Sequence, residues 1–333
     1  MDRELGDMQA LGIFGIYKES YKIITSLKKL FTQITLAFIL PLSIIFLAHV
    51  EVSNTIFWNF HFDAYGLPYI PDQRSLSRRQ QYAAEWGIFL AFKFAYFTFL
   101  LIFSLLSTAA VTYTISSIYT ENDVTFKKVR GVVPKIWKRL VVTFLCTFLA
   151  FFAYHVVTAI ILFLWMVTLS ETVAGFPIFI IIMILYAIGF VYMTIIWQLA
   201  SVVSVLETSS GIKAVKKSID LIKGKMVAVV VTFFGLIVLV VGIQILFYAF
   251  VVYPTLGLWG FIAFAILSIL LITVFVLYGL AIQTIIYFVC KSYHNEIIER
   301  TVLSKHLEVI HLGQYHAPDP AMAKGDQLEM SHV

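Results

Sequence analysis

The sequence predicts an all-α polytopic integral membrane protein, its six transmembrane helices arranged as three hairpins, each preceded by a basic amphipathic interfacial helix. Three observations carry this. First, 60% of the 333 residues are apolar and only 13% are charged, with a mean hydropathy of +0.91. A soluble domain carries about 25% charged and roughly 45–50% apolar residues, so these charges are too few to cover a water-exposed surface. Second, the charges are clustered, leaving uncharged stretches at Leu30–Val50, Phe94–Thr120, Leu140–Ser170, Thr172–Leu206 and Met226–Cys290. Third, the basic residues fall overwhelmingly on one side of a six-span chain.

A helix needs about 20 apolar residues to cross the hydrocarbon core. The first four stretches therefore supply one span each, and the 65-residue fifth supplies two, divided by the turn-forming run Tyr253-Pro254-Thr255-Leu256-Gly257. Residues 1–30 read as a cytoplasmic amphipathic segment, in which Phe14, Tyr17, Tyr21, Ile24 and Phe31 form a stripe opposite Lys18, Lys22 and Lys29. The acidic Met1–Ala10 does not resemble a cleaved leader, so the first span, 31–50 with Pro41 inside it, is expected to act as an uncleaved anchor. An outer loop follows, with Phe57, Trp58, Phe60, Phe62, Tyr65 and Tyr69 as an interfacial aromatic belt. The second span covers about 87–115. Phe126–Leu140 is a basic segment broken by Pro134, with Val129, Val133, Ile136, Trp137 and Leu140 on its apolar side. Spans three and four cover 140–168 and 177–204.

Gly211–Lys225 is the clearest interfacial helix. Ile212, Val215, Ile219 and Ile222 line one face, and Lys213, Lys216, Lys217, Asp220 and Lys223 fill the other. Spans five and six cover 227–250 and 258–288, closing a membrane domain of residues 31–290. The tail, 291–333, reads as a charged amphipathic helix over Tyr293–Ile310 and a disordered end from Ala317. The three basic segments share a pattern. Glu121 stands 18 residues before Arg139, and Glu207 stands 18 before Lys225. Each basic residue then leads into Val-Val-Thr-Phe, at 141–144 and 230–233. Three serial units, each an interfacial helix and a hairpin, are the economical reading.

Of 24 Lys and Arg residues, 20 fall in the amino-terminal segment, the second and fourth loops and the tail. Three, Arg74, Arg78 and Arg79, fall on the other side, and Lys93 lies within a span. The positive-inside rule then puts both termini in the cytoplasm. No Asn-x-Ser/Thr acceptor occurs to add evidence on orientation.

The expected partners are the bilayer and its anionic cytoplasmic leaflet, with protein partners through the tail and no nucleic acid. The lipid surface is assigned to Lys213, Lys216, Lys217, Lys223 and Lys225, each worth about 1 kcal/mol near an anionic membrane. A candidate polar pathway comprises Lys93, Ser104, Thr108, Thr112, His155 and Gln283. Each has a plainer role: Lys93 can snorkel outward, and His155 can bond a neighbouring helix. Small hydroxyl residues spaced by four are ordinary packing positions. No Asp or Glu lies at membrane depth to relay protons. Cys290, followed by Lys291, is a candidate palmitoylation site. Cys146 and Cys290 offer no disulfide framework, and His294, His306, His311 and His316 match no zinc spacing. No cofactor and no metal are expected.

No phosphate loop, nucleophile elbow or zincin helix appears, and a membrane-embedded lipid enzyme would have only Glu121, Asp123, Glu207 and Lys225 to use. The expectation is a non-enzymatic membrane protein that organises the bilayer or regulates partners through its basic helices. The alternative is a transporter or channel for a small or lipidic solute, which requires a cavity among the spans.

Glu207 and the run Ala214 to Lys225, with Ser218, Leu221, Lys223 and Gly224, resemble the membrane domain of bacterial glycerophosphodiester phosphodiesterases. The catalytic barrel of those enzymes has no counterpart here. Leu11 to Ser20, Gln33 to Leu36, Leu40 to Ser43 with Ala48-His49, and Cys290 to His294 resemble, over nearly the whole chain, a plant family of uncharacterised six-span proteins. That resemblance implies the six-span fold and an endomembrane or plasma-membrane setting, and it implies no activity.

Overall fold

The computed structural model describes residues 8, 11–65, 74–120, 124–170, 172, 174–252 and 257–294, with side chains outside 54–85. The chain forms α1 (Ile13–Ser26) and α2 (Lys28–Ile34), then a π-helical turn (Thr35–Ile39) running into α3 (Leu40–Tyr65). It continues as α4 (Arg74–Tyr119), α5 (Phe126–Thr168), α6 (Gly175–Leu206) and the short α7 (Ile212–Ile222). Next comes α8 (Met226–Phe247), extended by a π-helical turn (Tyr248–Val252), and then α9 (Gly257–Tyr293). No strand occurs among the described residues. Among the described residues, six helical runs are long and apolar enough to cross a membrane: Lys28–Ser53, Trp86–Tyr119, Phe126–Thr168, Gly175–Leu206, Met226–Val252 and Gly257–Tyr293. They give the chain the architecture of an integral membrane protein.

α9 is the central helix. It packs on α1, α3, α4, α6, α7 and α8, and every residue from Ala281 to Cys290 is buried. A helix that is apolar all round belongs in such a position. The main core gathers toward one end of the bundle. There Ile16, Ile23 and Ile34 meet Val111 and Ile115 of α4, Val133 and Ile136 of α5, the last turns of α6, and Ile285 to Val289 of α9. This is also the end where the Lys- and Arg-rich segments collect, and it is called the basic end below. A smaller cluster of Leu47, Phe247, Val251, Val252 and Ile272 ties α3, α8 and α9 together farther along. Neither cluster includes any residue between 145 and 190. The distal halves of α5 and α6 instead pair with each other: Tyr154 stacks on Tyr186 and donates to its carbonyl at 2.7 Å. Trp165 Nε1 donates to the Gly175 carbonyl at 2.9 Å. In lipid, apolar side chains on such limbs need no protein cover, because lipid tails are as apolar as leucine.

The amphipathic segments depart from the sequence expectation in two ways. Phe126–Leu140 is not a separate interfacial helix but the beginning of α5, which runs unbroken to Thr168. Pro134 is exposed on this helix. It costs one backbone hydrogen bond without ending the helix, because Val129, Val133, Ile136 and Leu140 remain buried on one face. On α1 and α7 only part of the predicted stripe is turned to the protein: Tyr17, Ile24, Val215, Ile219 and Ile222 pack on the core, whereas Phe14, Tyr21 and Ile212 do not. α1 buries Ile16, Glu19, Ser20 and Ile23, while Phe14 is 89% and Tyr21 59% exposed. α7 buries Ala214, Ser218, Leu221 and Ile222, while Ile212 is 64% exposed. Ser20, Ala214 and Ser218 allow close approach to the bundle, while Phe14, Tyr21 and Ile212 face outward. The tail beyond His294, Glu121, Asp123 and the outer-loop aromatic side chains lie outside the described residues.

Candidate functional site

At the basic end α6 stops at Leu206, and Glu207 continues in extended conformation, its N–H still bonded to the Val203 carbonyl. This turns the carboxylate toward α7 and α9. Tyr287 donates its hydroxyl to Glu207 Oε1 at 2.6 Å, and Lys291 Nζ reaches the same oxygen at 3.1 Å. Lys217 Nζ pairs with Oε2 at 2.9 Å. Lys291 also bonds the Tyr287 hydroxyl at 3.2 Å, a contact made by its i, i+4 position on α9. Burial by itself would raise the Glu207 carboxyl. The Tyr287 hydrogen bond, Lys291 and Lys217 outweigh it, and the group is held below its ordinary value. An anion pinned by three donors is a fixed counter-ion that joins α6, α7 and α9, not a free base.

The α6–α7 connection is secured nearby. Gly211 adopts φ +60, a left-handed conformation, and donates its N–H to Thr143 Oγ1 at 2.8 Å. Thr143 in turn shares a 2.7 Å hydrogen bond with Ser204 Oγ. A Cβ on Gly211 would press against Val142 and Cys146 at 3.2–3.3 Å. α7 is therefore docked by polar contacts at its start, at Lys217, and at its end, where His294 lies 3.2 Å from the Leu221 carbonyl.

The five lysines assigned to a lipid surface divide accordingly. Lys217 is engaged with Glu207, and Lys225 lies over the Tyr293 ring, 5.2 Å from its centroid. Lys223 pairs with Asp220 at 2.7 Å; this exposed pair lowers the aspartate and raises the lysine. Lys213 and Lys216 point outward, next to exposed Ile212. Lys18, Lys22, Lys28, Lys29, Lys127, Arg130, Lys135 and Lys138 are likewise exposed at the same end.

Within the bundle, α3, α4, α6, α8 and α9 line a partly open cavity of ≈ 340 Å³. Ser104, Thr108 and Gln283 of the proposed polar pathway line it, joined by Thr194, Gln198 and Ser201 of α6. The remainder of the wall is apolar and no charged side chain contributes. The other pathway residues lie elsewhere. Thr112 shares a 3.1 Å hydrogen bond with Thr284 and is fully buried between α4 and α9. His155 sits on the distal limb of α5, 3.4 Å from the Tyr186 hydroxyl. Lys93 does not reach outward but turns to α3, 2.7 Å from His49 Nε2 and 2.9 Å from Ser53 Oγ. Cys290 is fully buried, so acylation of its sulfur would require the end of α9 to leave the core.

The convergence on Glu207 was not anticipated from sequence, where Glu207 figured in the repeat spacing to Lys225 and among the few groups open to a lipid enzyme. Its signal is Tyr287 and Lys291 four apart on the last helix, together with a solitary acid closing the fourth. The described residues contain no cluster of His, Cys, Asp and Glu able to hold a metal ion. No curated protein and no solved structure matches the chain. Residues 1–330 match the family model described as Domain of unknown function (DUF8558). A match of that extent makes this chain, with six helices long and apolar enough to cross a membrane among its described residues, a member of the DUF8558 family.

Proposed function

We propose that the protein is a non-enzymatic multi-pass membrane protein that organises the membrane or regulates partner proteins through its basic end. That end faces the cytoplasm, with both termini on the same side. The observation that carries this reading is the arrangement of α1 and α7. Each buries one face against the bundle and leaves large apolar side chains, Phe14, Tyr21 and Ile212, exposed beside exposed Lys18, Lys22, Lys213 and Lys216. Apolar groups flanked by lysines suit a helix seated in the headgroup layer of an anionic leaflet. In this reading each of three hairpins follows such a basic segment, the third span's being continuous with α5. The wider setting, an endomembrane or plasma membrane of a plant cell, follows the six-span plant family that the sequence resembles, and protein partners would engage the tail.

The test is a spin label at position 212 of the full chain in liposomes. Adding phosphatidylserine to phosphatidylcholine is expected to deepen the label. Changing Lys213 and Lys216 to glutamine is expected to remove that response, a difference of about 2 kcal/mol for two lysines. A label indifferent to phosphatidylserine would sink the leaflet mechanism. The second reading, a transporter or channel for a small or lipidic solute, is supported by the cavity that Ser104, Thr108 and Gln283 line.

A further inference from the structure

We infer that the cavity among α3, α4, α6, α8 and α9 is a binding site for one uncharged, mostly hydrocarbon molecule bearing a hydroxyl or carbonyl oxygen, which Gln283 holds. The site goes beyond the action of the basic helices and stands whether or not anything is transported. Its volume, ≈ 340 Å³, lies at the lower end of the range of small-molecule pockets, about 300–1,000 Å³. The wall selects the chemistry. With no charged side chain lining it, an ion, a phosphate or a carboxylate would lose its hydration and gain no counter-charge.

The polar atoms define what the occupant must bring. Gln283 is only 2% exposed, and its Nε2 has no hydrogen-bond partner. Buried amide donors are almost always satisfied, so an orphan on a residue that lines a pocket marks a missing acceptor, which a turn of the side-chain amide would bring within reach. Three of the lining hydroxyls are already committed as donors. Thr108 gives its proton to the Ser104 carbonyl, Thr194 to the Phe190 carbonyl and Ser201 to the Gln198 carbonyl. Each retains oxygen lone pairs. An alcohol matches both needs, accepting from Gln283 and donating to one of these oxygens, and a carbonyl meets the first. Water could satisfy Gln283 but would not suit the space. The space could hold several waters, and the mainly apolar wall cannot give each of them two to four partners. One turn before Gln283, Gly279 leaves the wall open: a Cβ there meets nothing within 4 Å.

The same oxygen chemistry could come from a free neutral lipid alcohol or from the ester carbonyl of a bilayer phospholipid. The test uses the full chain in phosphatidylcholine nanodiscs with two photoreactive probes sharing one diazirine-bearing chain, a long-chain alcohol and a phosphatidylcholine. At equal mole fraction the alcohol is expected to label α4 and α9 lining residues at least tenfold more than the phospholipid, and unlabelled alcohol is expected to compete. Gly279→Leu, which fills the space, is expected to cut labelling at least tenfold. Gln283→Leu is expected to weaken competition about 2- to 12-fold, the loss of one hydrogen bond, while the unliganded variant melts no lower than wild type. The second variant keeps the test decisive if the first does not fold. Equal labelling by both probes, or labelling unchanged by both substitutions, would overturn the site. Specific labelling without flux of the alcohol across liposomes would remove the transport reading alone.

Discussion

Replacing Glu207 with glutamine leaves Lys217 and Lys291 facing each other without their shared anion. Both are partly screened by solvent, at 32% and 17% exposure, so the cost should fall below that of breaking a fully buried pair. Roughly 2–3 kcal/mol is expected, read as a lower thermal midpoint in detergent. The pH dependence has a definite sign. Burial opposes the Glu207 anion, but Tyr287, Lys291 and Lys217 hold the folded carboxyl below its ordinary value. The resulting stabilisation is complete above that ordinary value and disappears as pH falls through the depressed one. A midpoint-versus-pH curve should therefore steepen in the wild type on the acid side of the usual carboxylate range and be flatter there in Glu207→Gln. Gly211→Ala tests the neighbouring turn. A left-handed backbone at φ +60 and contacts of 3.2–3.3 Å to Val142 and Cys146 should cost about 1–2 kcal/mol. A midpoint equal to wild type would mean that this turn relaxes freely.

Among elements, α7 should respond differently to its lysines according to their partners. Lys217→Gln should lower thermal stability with little effect on the phosphatidylserine response of a label at 212. The Lys213→Gln, Lys216→Gln double change should do the reverse. Equal effects from both would contradict the division between docking and membrane-facing lysines. α7 also shows where sequence reading reaches its limit. The 3.6-residue period identified the helix and its basic side, because lysine and isoleucine are opposites in any solvent. It could not say whether an apolar stripe meets lipid or protein, since both are apolar, and only the small Ala214 and Ser218 hinted at the docking face. The same ambiguity affects α4. Ser104, Thr108 and Thr112 form one stripe in sequence, yet the first two line a cavity and the third is sealed against Thr284. Four residues along a helix is about 6 Å, enough to pass from open space to packed core. Thr194, Gln198 and Ser201 joined the site without forewarning, because their relevance depends on four other helices.

For the molecule as a whole, the six spans were legible because length and hydropathy suffice for them, while the centrality of α9 was not, every span being similarly apolar. The proposed orientation yields its own expectation. A glycan acceptor engineered into residues 253–256 should be modified in a microsomal system, and one in residues 208–210 should not; the opposite pattern would invert the topology. The distal limbs of α5 and α6 carry one more consequence. At 43 residues, α5 is about 65 Å long, roughly twice the ≈ 30 Å hydrocarbon layer. Beyond Phe148, which meets Phe97 of α4, its outer portion pairs with α6 through Tyr154–Tyr186 and Trp165–Gly175, while its inner portion is anchored in the core. The pair can lean as a unit, shortening its reach across the bilayer without loosening the basic end. Hydrophobic mismatch is thereby absorbed locally, by tilt. Membranes of different thickness can host the same packed end, and the strain of a thin bilayer need not reach Glu207 or the cavity.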